Sequence, residues 1–589
     1  MNKKQITFED FSYLIIFGLA LFMRLLMLGK APLSEFEATW AYQAWELAQG
    51  QISNIGLQAG YLTLTEGLFS LWGGTNALAR FWPALAGSLL VLVPFLFRAK
   101  LGREAALIMA LGLALDPGFV SISRLAGGPM LAVAFLALAC GLLWAGRPAW
   151  AVFFGGMALL SGPSLWMGAL GIALTLGVGH LLGALDLPSH VRGWISTLMP
   201  KQAEGRSIPW RLVIPLGAVV MLGTFFLQHY QGLSAWLSAF PAFWEGWGRP
   251  SGVPAGRLVV ALLAYQPLAL IFGLITAVRG FVKGEKTTSV LGFWFVAALG
   301  LALIYPGRQV YDLLWGLIPL WGLAGMELAC ILKAVKSSWV TRLHAAFVFI
   351  LFTLAWLSFV NLILMGVDIQ RIGLQWGIVG ATFLLMVLVT VIVAGEWGWI
   401  VARRGLVVGV SVALGLYVLS STMGAAYSGQ GDPRELWYPC PGGSQVKLLQ
   451  ESLGDVGLLE TGRQEQLEIV VLDGNEVLAW ALRGYSEVSF RDSTPMDRRP
   501  PVVITRESEA SQPWTAAYLG QDFVLRTSQG WGGAIPADWK NWIVFREAPL
   551  EKEKSILWVR WDLFPFMTEE EVEEDTPLFE EINTAPFED

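Results

Sequence analysis

Cysteine, histidine and charge are all scarce in this chain. Its 589 residues include three cysteines and four histidines, and only 15% are charged, whereas soluble proteins have roughly 25%. Two cysteines lie in long apolar runs, so no disulfide framework is available, and no two histidines have the spacing of a zinc site. The sequence also lacks a Gly-x-Ser-x-Gly elbow and a phosphate-binding glycine loop. These absences argue against a thiol, zinc or serine enzyme and leave carboxylates as the main candidates for chemistry. No nucleic acid partner is expected.

Apolar residues are abundant instead, and they come in long runs. The chain is 55% hydrophobic, and its mean hydropathy is +0.55. About 20 apolar residues are enough to cross a bilayer core of roughly 30 Å. We therefore predict a polytopic α-helical membrane domain, residues 1–427, with about 13 transmembrane helices. The predicted spans are 11–29, 78–97, 104–120, 129–146, 150–162, 165–183, 211–228, 257–278, 288–305, 309–332, 343–365, 375–395 and 406–425.

Lysine and arginine are concentrated in alternate loops between these spans. Examples are Arg98, Lys100, Arg103, Arg403 and Arg404. The positive-inside rule then places the N-terminus inside and the loop 30–77 outside. An odd number of spans places the region after residue 427 outside as well. We expect a multi-pass plasma-membrane protein whose C-terminal domain is extracytoplasmic.

The composition changes from about residue 428. Short apolar runs alternate with polar turns, and a strand–helix–strand order predicts a small α/β domain over 428–567. The tail 568–589 carries ten acidic residues and neither lysine nor arginine, which predicts a solvated, disordered end. The predicted strands are 467–472, 502–504 and 556–561, and the predicted helices are 475–482 and 539–545.

The outer loop 30–77 is more than a connector. Two stretches, 39–48 and 61–72, have the aromatic and amphipathic pattern of helices that lie along the membrane interface. Together they predict a platform beside the membrane. Ordinary packing at the membrane surface is the alternative.

Two carboxylates, Glu35 and Glu37, follow the first span directly. Ionisable groups at the mouth of a membrane helix suggest function, and a carboxylate in a partly dry cleft could act as a general base towards an acceptor hydroxyl. The alternative is a helix N-terminus, with Ser34 as N-cap and the acids in the first turn. The residues alone leave both interpretations open.

Three arginines stand at the predicted outer ends of spans. Arg80, Arg124 and Arg308 are candidates for binding the phosphate of a lipid-linked donor, because arginine makes bidentate contacts with phosphate. The alternatives are arginines that extend to lipid headgroups, an Arg80 that pairs with a loop carboxylate, and an Arg308 that pairs with Asp312. A further set of outer residues is predicted to bind substrate: Glu66, Asp116, Trp244, Glu245 and Asp312.

In their order and spacing these motifs resemble the GT-C superfamily of polyprenyl-phosphate-sugar-dependent glycosyltransferases. That superfamily includes protein O-mannosyltransferases and lipid A aminoarabinose transferases, and the chain is most similar to the branch of flippase-activity-associated proteins. The resemblance covers about residues 15–145 and extends more weakly to Arg308 and the C-terminal domain. It depends on Arg24, Pro32-Leu33 with Glu37-Ala38, Arg80, Pro83, Gly87, Gly102-Arg103, Asp116-Pro117 and Ser123-Arg124.

The resemblance implies a polyprenyl-phosphate-linked sugar donor, a protein, lipid or glycan acceptor, and an outward-facing cavity. It also implies an Asp-Glu pair after the first span, where this chain has Phe36 and Glu37. A second acid expected beyond the Ser-Arg motif is replaced by Pro129 in the stretch 125–129. Glu35 is the adjacent carboxylate that could substitute for the lost aspartate. A divalent metal is left open, and no other cofactor is expected.

Two other functions compete with a glycosyltransferase. A catalytically degenerate protein of the same fold would bind a lipid-linked sugar or serve as a scaffold for an envelope complex. A lipid or glycan transporter would show internal repeats, and the sequence shows no convincing repeat.

Overall fold

A computed structural model of the chain describes residues 7–51, 55–181, 183, 210–334, 339–364, 369–438, 443, 445–472, 474–493, 499–507 and 516–564. The predicted acidic tail, 568–589, lies outside the described residues. So do Cys440 and part of the loop between the sixth and seventh predicted spans.

Helices make up most of the described chain. The first ten are α1 Phe8–Leu25, α2 Glu35–Ala48, α3 Ala59–Trp72, α4 Asn76–Leu90, α5 Val93–Leu101, α6 Arg103–Leu115, α7 Pro117–Ser123, α8 Pro129–Trp144, α9 Pro148–Leu159 and α10 Ser164–Leu181. The next nine are α11 Trp210–Gly223, α12 Gln231–Glu245, α13 Ala255–Tyr265, α14 Pro267–Lys283, α15 Lys286–Ile304, α16 Leu314–Ala334, α17 Trp339–Leu364, α18 Ile369–Trp397 and α19 Trp399–Met423. A 3₁₀ turn, Val310–Leu313, precedes α16, and a π-helical turn, Gly424–Ser428, follows α19.

These helices make the chain a multi-pass membrane protein. Among the described residues, seven helices are long and apolar enough to cross a membrane, or up to nine if each of two bent pairs forms one span. Three shorter apolar helices and α1 fall on the four remaining predicted spans. Every predicted span therefore coincides with an apolar helix.

The two bent pairs change direction at a polar residue followed by proline. Helices α6 and α7 meet at 53°, and α13 and α14 meet at 96°. Proline occupies the first position of both α7 and α14, where its missing N–H leaves no hydrogen bond unmade. Because proline disfavours a helical conformation in the residue before it, Asp116 and Gln266 end one helix and begin the next.

Close packing between α17 and α19 depends on two glycines spaced as in a GxxxG motif. A Cβ on Gly405 would lie 2.5 Å from Nδ1 of His344, and one on Gly409 would lie 2.6 Å from the carbonyl oxygen of Ala345. Small residues at this spacing let helix backbones approach each other in a membrane, where packing replaces the hydrophobic effect.

The ends of α1, α7 and α19 lie together on one side of the helical domain. The hydroxyl of Tyr427 donates to the carbonyl of Met23 at 2.6 Å, and Arg124 Nη2 donates to Oε1 of Gln430 at 3.0 Å. At the other end of α1, Oε1 of Glu9 lies 3.6 Å from Nε of Arg98, near the end of α5. The chain thus leaves α19 on the side that carries the loop 30–77.

The C-terminal region contains a five-stranded sheet in the order β2-β1-β3-β5-β4. Strand β1 is parallel to both β2 and β3, with Ile469 opposite Val502, and β3 is antiparallel to β5. The predicted strand–helix–strand order is confirmed, whereas α20, β2 and β4 were not predicted. The elements are α20 Val446–Thr461, β1 Glu468–Val471, α21 Glu476–Leu482, β2 Glu487–Phe490, β3 Val502–Arg506, β4 Tyr518–Gln529, α22 Trp539–Phe545 and β5 Leu550–Arg560.

The described residues fall into two compact units. One lies within Met1–Gly443 and Thr527–Glu551, and the other within Ser444–Arg526 and Lys552–Asp589. Helix α22 belongs to the first unit, with the membrane helices. The predicted domain division at 427/428 stays a prediction.

Candidate functional site

The first turn of α2 is built as a capping box. Ser34 is the N-cap, and Glu37 at the third helical position reaches back to accept the Ser34 backbone N–H at 3.0 Å. The reciprocal arrangement satisfies N–H groups that a helix start leaves unpaired. The helix-start alternative for Glu35 and Glu37 therefore describes the local structure.

Glu37 also forms a buried bidentate ion pair with Arg80. Arg80 Nε lies 2.6 Å from Oε1 and Nη2 lies 2.8 Å from Oε2, and both side chains are 1% exposed. The backbone N–H of Ala126 adds a bond of 2.9 Å to Oε1. With these bonds and those from Ser34, the acceptor sites of the Glu37 carboxylate are filled.

Arg80 uses its remaining donors on the segment before α2. It donates to the carbonyls of Leu28, Ala31 and Pro32 at 3.1, 2.8 and 2.9 Å. Arg80 thus joins the start of α4 to the end of the first span and to α2. Of the sequence alternatives, pairing with a loop carboxylate is the one that the structure shows.

Arg124 holds the end of α1 in a similar way. Its Nη1 donates to the carbonyls of Arg24 and Leu26 at 3.2 and 2.6 Å, and its guanidinium lies 4.5 Å from the ring centre of Tyr427. Arg24 is fully buried and donates to Leu113 and Ala114. Both arginines therefore satisfy carbonyls at helix ends.

Asp116 is fully buried at the bend between α6 and α7. Its Oδ1 caps α7 by accepting the N–H of Phe119 at 3.0 Å, and its Oδ2 accepts from Nε1 of Trp321 at 2.7 Å. The aspartate thus ties the bend to α16.

A second group of predicted residues meets where the turn 305–312 contacts the loop after α12. The N–H of Gly307 donates to the carbonyl of Gly246 at 2.8 Å, and the hydroxyl of Tyr305 donates to Phe243 at 2.8 Å. These contacts bring together Trp244, which is 61% exposed, its neighbour Glu245, and the turn that contains Arg308 and Asp312. Asp312 is buried and accepts the N–H of Gln309 at 2.8 Å.

Arg308 differs from the other two arginines in how many of its donors are used. Its Nη1 donates to the carbonyl of Val253 at 3.1 Å. Among the described residues its buried Nε has no hydrogen-bond partner; the same is true of Nε of Arg124, but Arg124 donates five hydrogen bonds through Nη1 and Nη2. A guanidinium with an unused donor is suited to an anionic ligand.

Glu35 and Glu66 are half-buried carboxylates of the outer loop. Successive helical residues are about 100° apart, so Glu35 lies on the opposite side of α2 from Glu37. Burial raises the pKa of Glu66 above its ordinary value.

The two positions where the resemblance implies acids lie in the same neighbourhood. Phe36 packs against the loop after α7, where a Cβ on Gly127 would lie 3.0 Å from the Phe36 ring. Gly127 has a φ of +129°, a conformation that glycine adopts readily, and Pro129 begins α8 two residues later. An aromatic ring and a glycine–proline loop thus face each other here.

Sequence reasoning missed one charged cluster. Glu435, 2% exposed, lies 3.4 Å from Nε of Arg546 and accepts a hydrogen bond from Tyr265. Burial raises the pKa of Glu435, and the nearby Arg546 opposes that shift. The sequence feature that could have revealed this cluster is the dense charge of Asp432, Arg434 and Glu435 directly after the last apolar run. In the part of the chain that the structure describes, no three histidine, cysteine or acidic side chains form a metal-binding group.

Comparison with solved structures places this arrangement in a known fold. The crystal structure of ArnT from Cupriavidus metallidurans bound to undecaprenyl phosphate matches with a TM-score of 0.51 and 13% identity, over 92% of this chain and 97% of that chain. The same protein in the apo state gives 0.51 and 14% over the same shares. The apo oligosaccharyltransferase of Archaeoglobus fulgidus gives 0.45 and 12%, over 82% of this chain and 64% of that chain. No family model and no curated protein matches.

ArnT is an aminoarabinose transferase with the GT-C fold of membrane glycosyltransferases. The likeness extends over nearly the whole of both chains. The chain therefore has the GT-C fold, as the motifs predicted.

Proposed function

We propose that the protein transfers a sugar from a polyprenyl-phosphate-linked donor to an acceptor on the outer face of the membrane. The GT-C fold supports this class of reaction, and the ArnT structure contains undecaprenyl phosphate. The observation that carries the proposal for this chain is that the Arg308 guanidinium donates one hydrogen bond among the described residues, on a turn joined to the end of α12, where Trp244 is exposed.

Arg308 binds the donor phosphate in this proposal. As the sugar leaves, negative charge develops on the lipid phosphate, and a fixed cation stabilises that charge. Arg80 donates to Glu37 and to backbone carbonyls, and Nη1 and Nη2 of Arg124 donate to backbone carbonyls and to Gln430, so both arginines position the first loop and the end of α1. Trp244 and Glu245 contact the sugar beside Arg308.

Glu35 is the general base. Glu37 is a poor base because its carboxylate already accepts five hydrogen bonds, which leave no position for an acceptor hydroxyl. Its ion pair with Arg80 fixes the first turn of α2 and so determines where Glu35 is held. Glu37 is thus a positioning residue.

Two observations support a reaction on the outer face. The contacts of Tyr427 and Gln430 put the end of α19 on the side of the loop 30–77. The concentration of lysine and arginine in the opposite loops supports an extracytoplasmic position for that side.

Release of labelled sugar from a polyprenyl-phosphate-sugar donor by the purified full-length protein tests the proposal. Loss of a general base lowers turnover about 10²-fold or more, so Glu35→Gln should be nearly inactive. Glu46→Gln, at the other end of α2, is the matched control and should keep its turnover. Equal turnover of the two variants would remove Glu35 from the reaction.

The contact between Phe36 and Gly127 favours a second candidate function. If Phe36 and Pro129 have replaced catalytic acids, the protein binds a lipid-linked sugar without transferring it. Donor binding by the wild type, measured with no sugar release and unchanged in Glu35→Gln, would support this binding protein over the enzyme.

A further inference from the structure

A cavity outside the proposed donor site opens beside the last membrane helix. Its volume is about 600 Å³, within the range of ligand-binding cavities. Helices α17 and α19, the segment 424–435 and the end of α22 form its walls, and all of them belong to one compact unit.

One end of the cavity is apolar and the other is charged. Phe349, Phe352, Trp356 and Leu416 line the apolar end, on helices whose outer surfaces expose large hydrophobic side chains. Two carboxylates and two guanidiniums line the charged end: Asp432, Glu435, Arg434 and Arg546. This division matches an amphiphile that places a chain between the helices and a polar group at the membrane surface.

The charged end is a built site. Arg546 lies beside Glu435, and its guanidinium stacks 4.6 Å from the ring centre of Tyr265 and 4.7 Å from that of Trp542. Asp432 pairs with Arg434 at 2.6 Å, with side chains 25% and 35% exposed. The backbone N–H, Nε and Nη2 of Arg434 donate to the Asp432 carboxylate at 2.6–3.0 Å, which leaves Nη1 of Arg434 and about one acceptor position of the carboxylate for a ligand.

Backbone conformation at the cavity wall is unusual at two places. Arg546 has a φ of +56°, in the left-handed region where glycine is the common helix-ending residue. The π-helical turn Gly424–Ser428 also borders the cavity, and such turns are frequent at functional sites. An arginine held in this conformation indicates that its side chain is needed there.

The balance of charge identifies the head group. An anion alone would face two carboxylates, and a cation alone would face two guanidiniums. A group with one phosphate and one ammonium satisfies both, and a primary ammonium can donate hydrogen bonds to carboxylates whereas a quaternary one cannot. We propose that this cavity binds phosphatidylethanolamine, with an acyl chain between α17 and α19 and the head group at Asp432 and Arg434.

Native mass spectrometry of the full-length protein in detergent tests this site without reference to sugar transfer. Phosphatidylethanolamine, phosphatidylcholine and phosphatidylglycerol with identical acyl chains are the probes. We expect phosphatidylethanolamine to bind about tenfold more tightly than either of the others, because it alone supplies both charge-assisted contacts. Equal affinity for the three lipids, or a preference for phosphatidylglycerol, would overturn the proposal.

Two variants locate the binding. Ser420→Phe fills the cavity from α19 and should abolish binding of the lipid. Val412 is exposed on the same helix but lies outside the cavity lining, so Val412→Phe should leave lipid binding unchanged. Asp432→Asn with Arg434→Gln should remove the preference for phosphatidylethanolamine over phosphatidylcholine. Lipid binding unchanged in Ser420→Phe, or a preference that survives the double variant, would place the lipid elsewhere.

Discussion

The guanidinium of Arg80 and the carboxylate of Glu37 form a two-point ion pair from which water is excluded. The two contacts are 2.6 and 2.8 Å, and both side chains are 1% exposed. Because Arg80 lies in the second turn of α4 and Glu37 in the first turn of α2, one interaction closes the outer loop near both of its ends. It also binds the loop after α7 through Ala126.

Removing one partner of this pair should destabilise the protein strongly. Arg80→Ala leaves the Glu37 carboxylate buried without its counter-charge, which costs about 3–5 kcal/mol. Thermal unfolding of the purified protein in detergent measures the effect.

The double variant Glu37→Leu with Arg80→Met is the control for this prediction. Replacing both charges by apolar side chains removes the uncompensated charge, so it should be less destabilising than Arg80→Ala. A double variant less stable than the single one would mean that the pair is needed for more than neutralising charge.

Much of the membrane domain could be predicted from the sequence because hydropathy alone marks a helix that crosses lipid. The outer helices α2 and α3 were also predicted, although α2 begins four residues before the aromatic stretch. The strands β2 and β4 were missed because their residues, such as Ser489, Gln521 and Asp522, lack an apolar run.

The site was harder to predict because one residue type serves several purposes. Arg80, Arg124 and Arg308 look alike in sequence, each near the end of a span. The structure distinguishes them by how many hydrogen bonds their guanidiniums donate among the described residues, since Arg80 and Arg124 each donate several and Arg308 donates one, to Val253. The pairing of Glu435 with Arg546 joins residues too far apart in the chain for any local pattern to reveal.

Substitution by alanine should have opposite effects at two helical glycines, because only Gly87, where α4 approaches α7, lies against a neighbouring helix. A Cβ on Gly87 would lie 2.0 Å from Oγ and 2.9 Å from Cβ of Ser123, so Gly87→Ala should destabilise by about 1–3 kcal/mol. Gly67 in α3 has no neighbouring atom within 4 Å of such a Cβ, so Gly67→Ala should stabilise by about 0.4–1 kcal/mol. Unfolding midpoints of the two variants test this, and a stable Gly87→Ala protein would show that the helices can separate.

Glu66 should make the folded protein less stable as the pH rises. Burial raises the pKa of this carboxyl in the folded protein above its ordinary value of 4.5, so the folded state binds the proton more tightly than the unfolded state. The free energy of unfolding therefore decreases as the pH rises from the ordinary pKa through the raised one. Glu66→Gln should remove this part of the pH dependence and raise the unfolding temperature at neutral pH.

The comparison for Glu66→Gln is made with wild type across about pH 4 to 8. At the acidic end, where Glu66 is protonated, the two proteins should unfold at the same temperature. A difference that is constant across the whole range would mean that the substitution acts through packing rather than through titration.

Arg308 should contribute to binding of the lipid phosphate more than any nearby cation that is already exposed and paired. Arg308→Ala removes a guanidinium with an unused donor, and loss of a charge-assisted hydrogen bond of about 1.5–3 kcal/mol weakens binding of a polyprenyl phosphate about tenfold or more. Arg249→Ala is the matched control, because its side chain is 82% exposed and faces Glu245 at 3.4 Å. Titration of each variant with polyprenyl phosphate, followed by the change in tryptophan fluorescence, measures both affinities. Since Trp244 lies at the end of α12, beside the loop joined to the Arg308 turn, the phosphate and the sugar would then be held by neighbouring parts of one surface. Equal losses in the two variants would reduce Arg308 to a general contribution of charge.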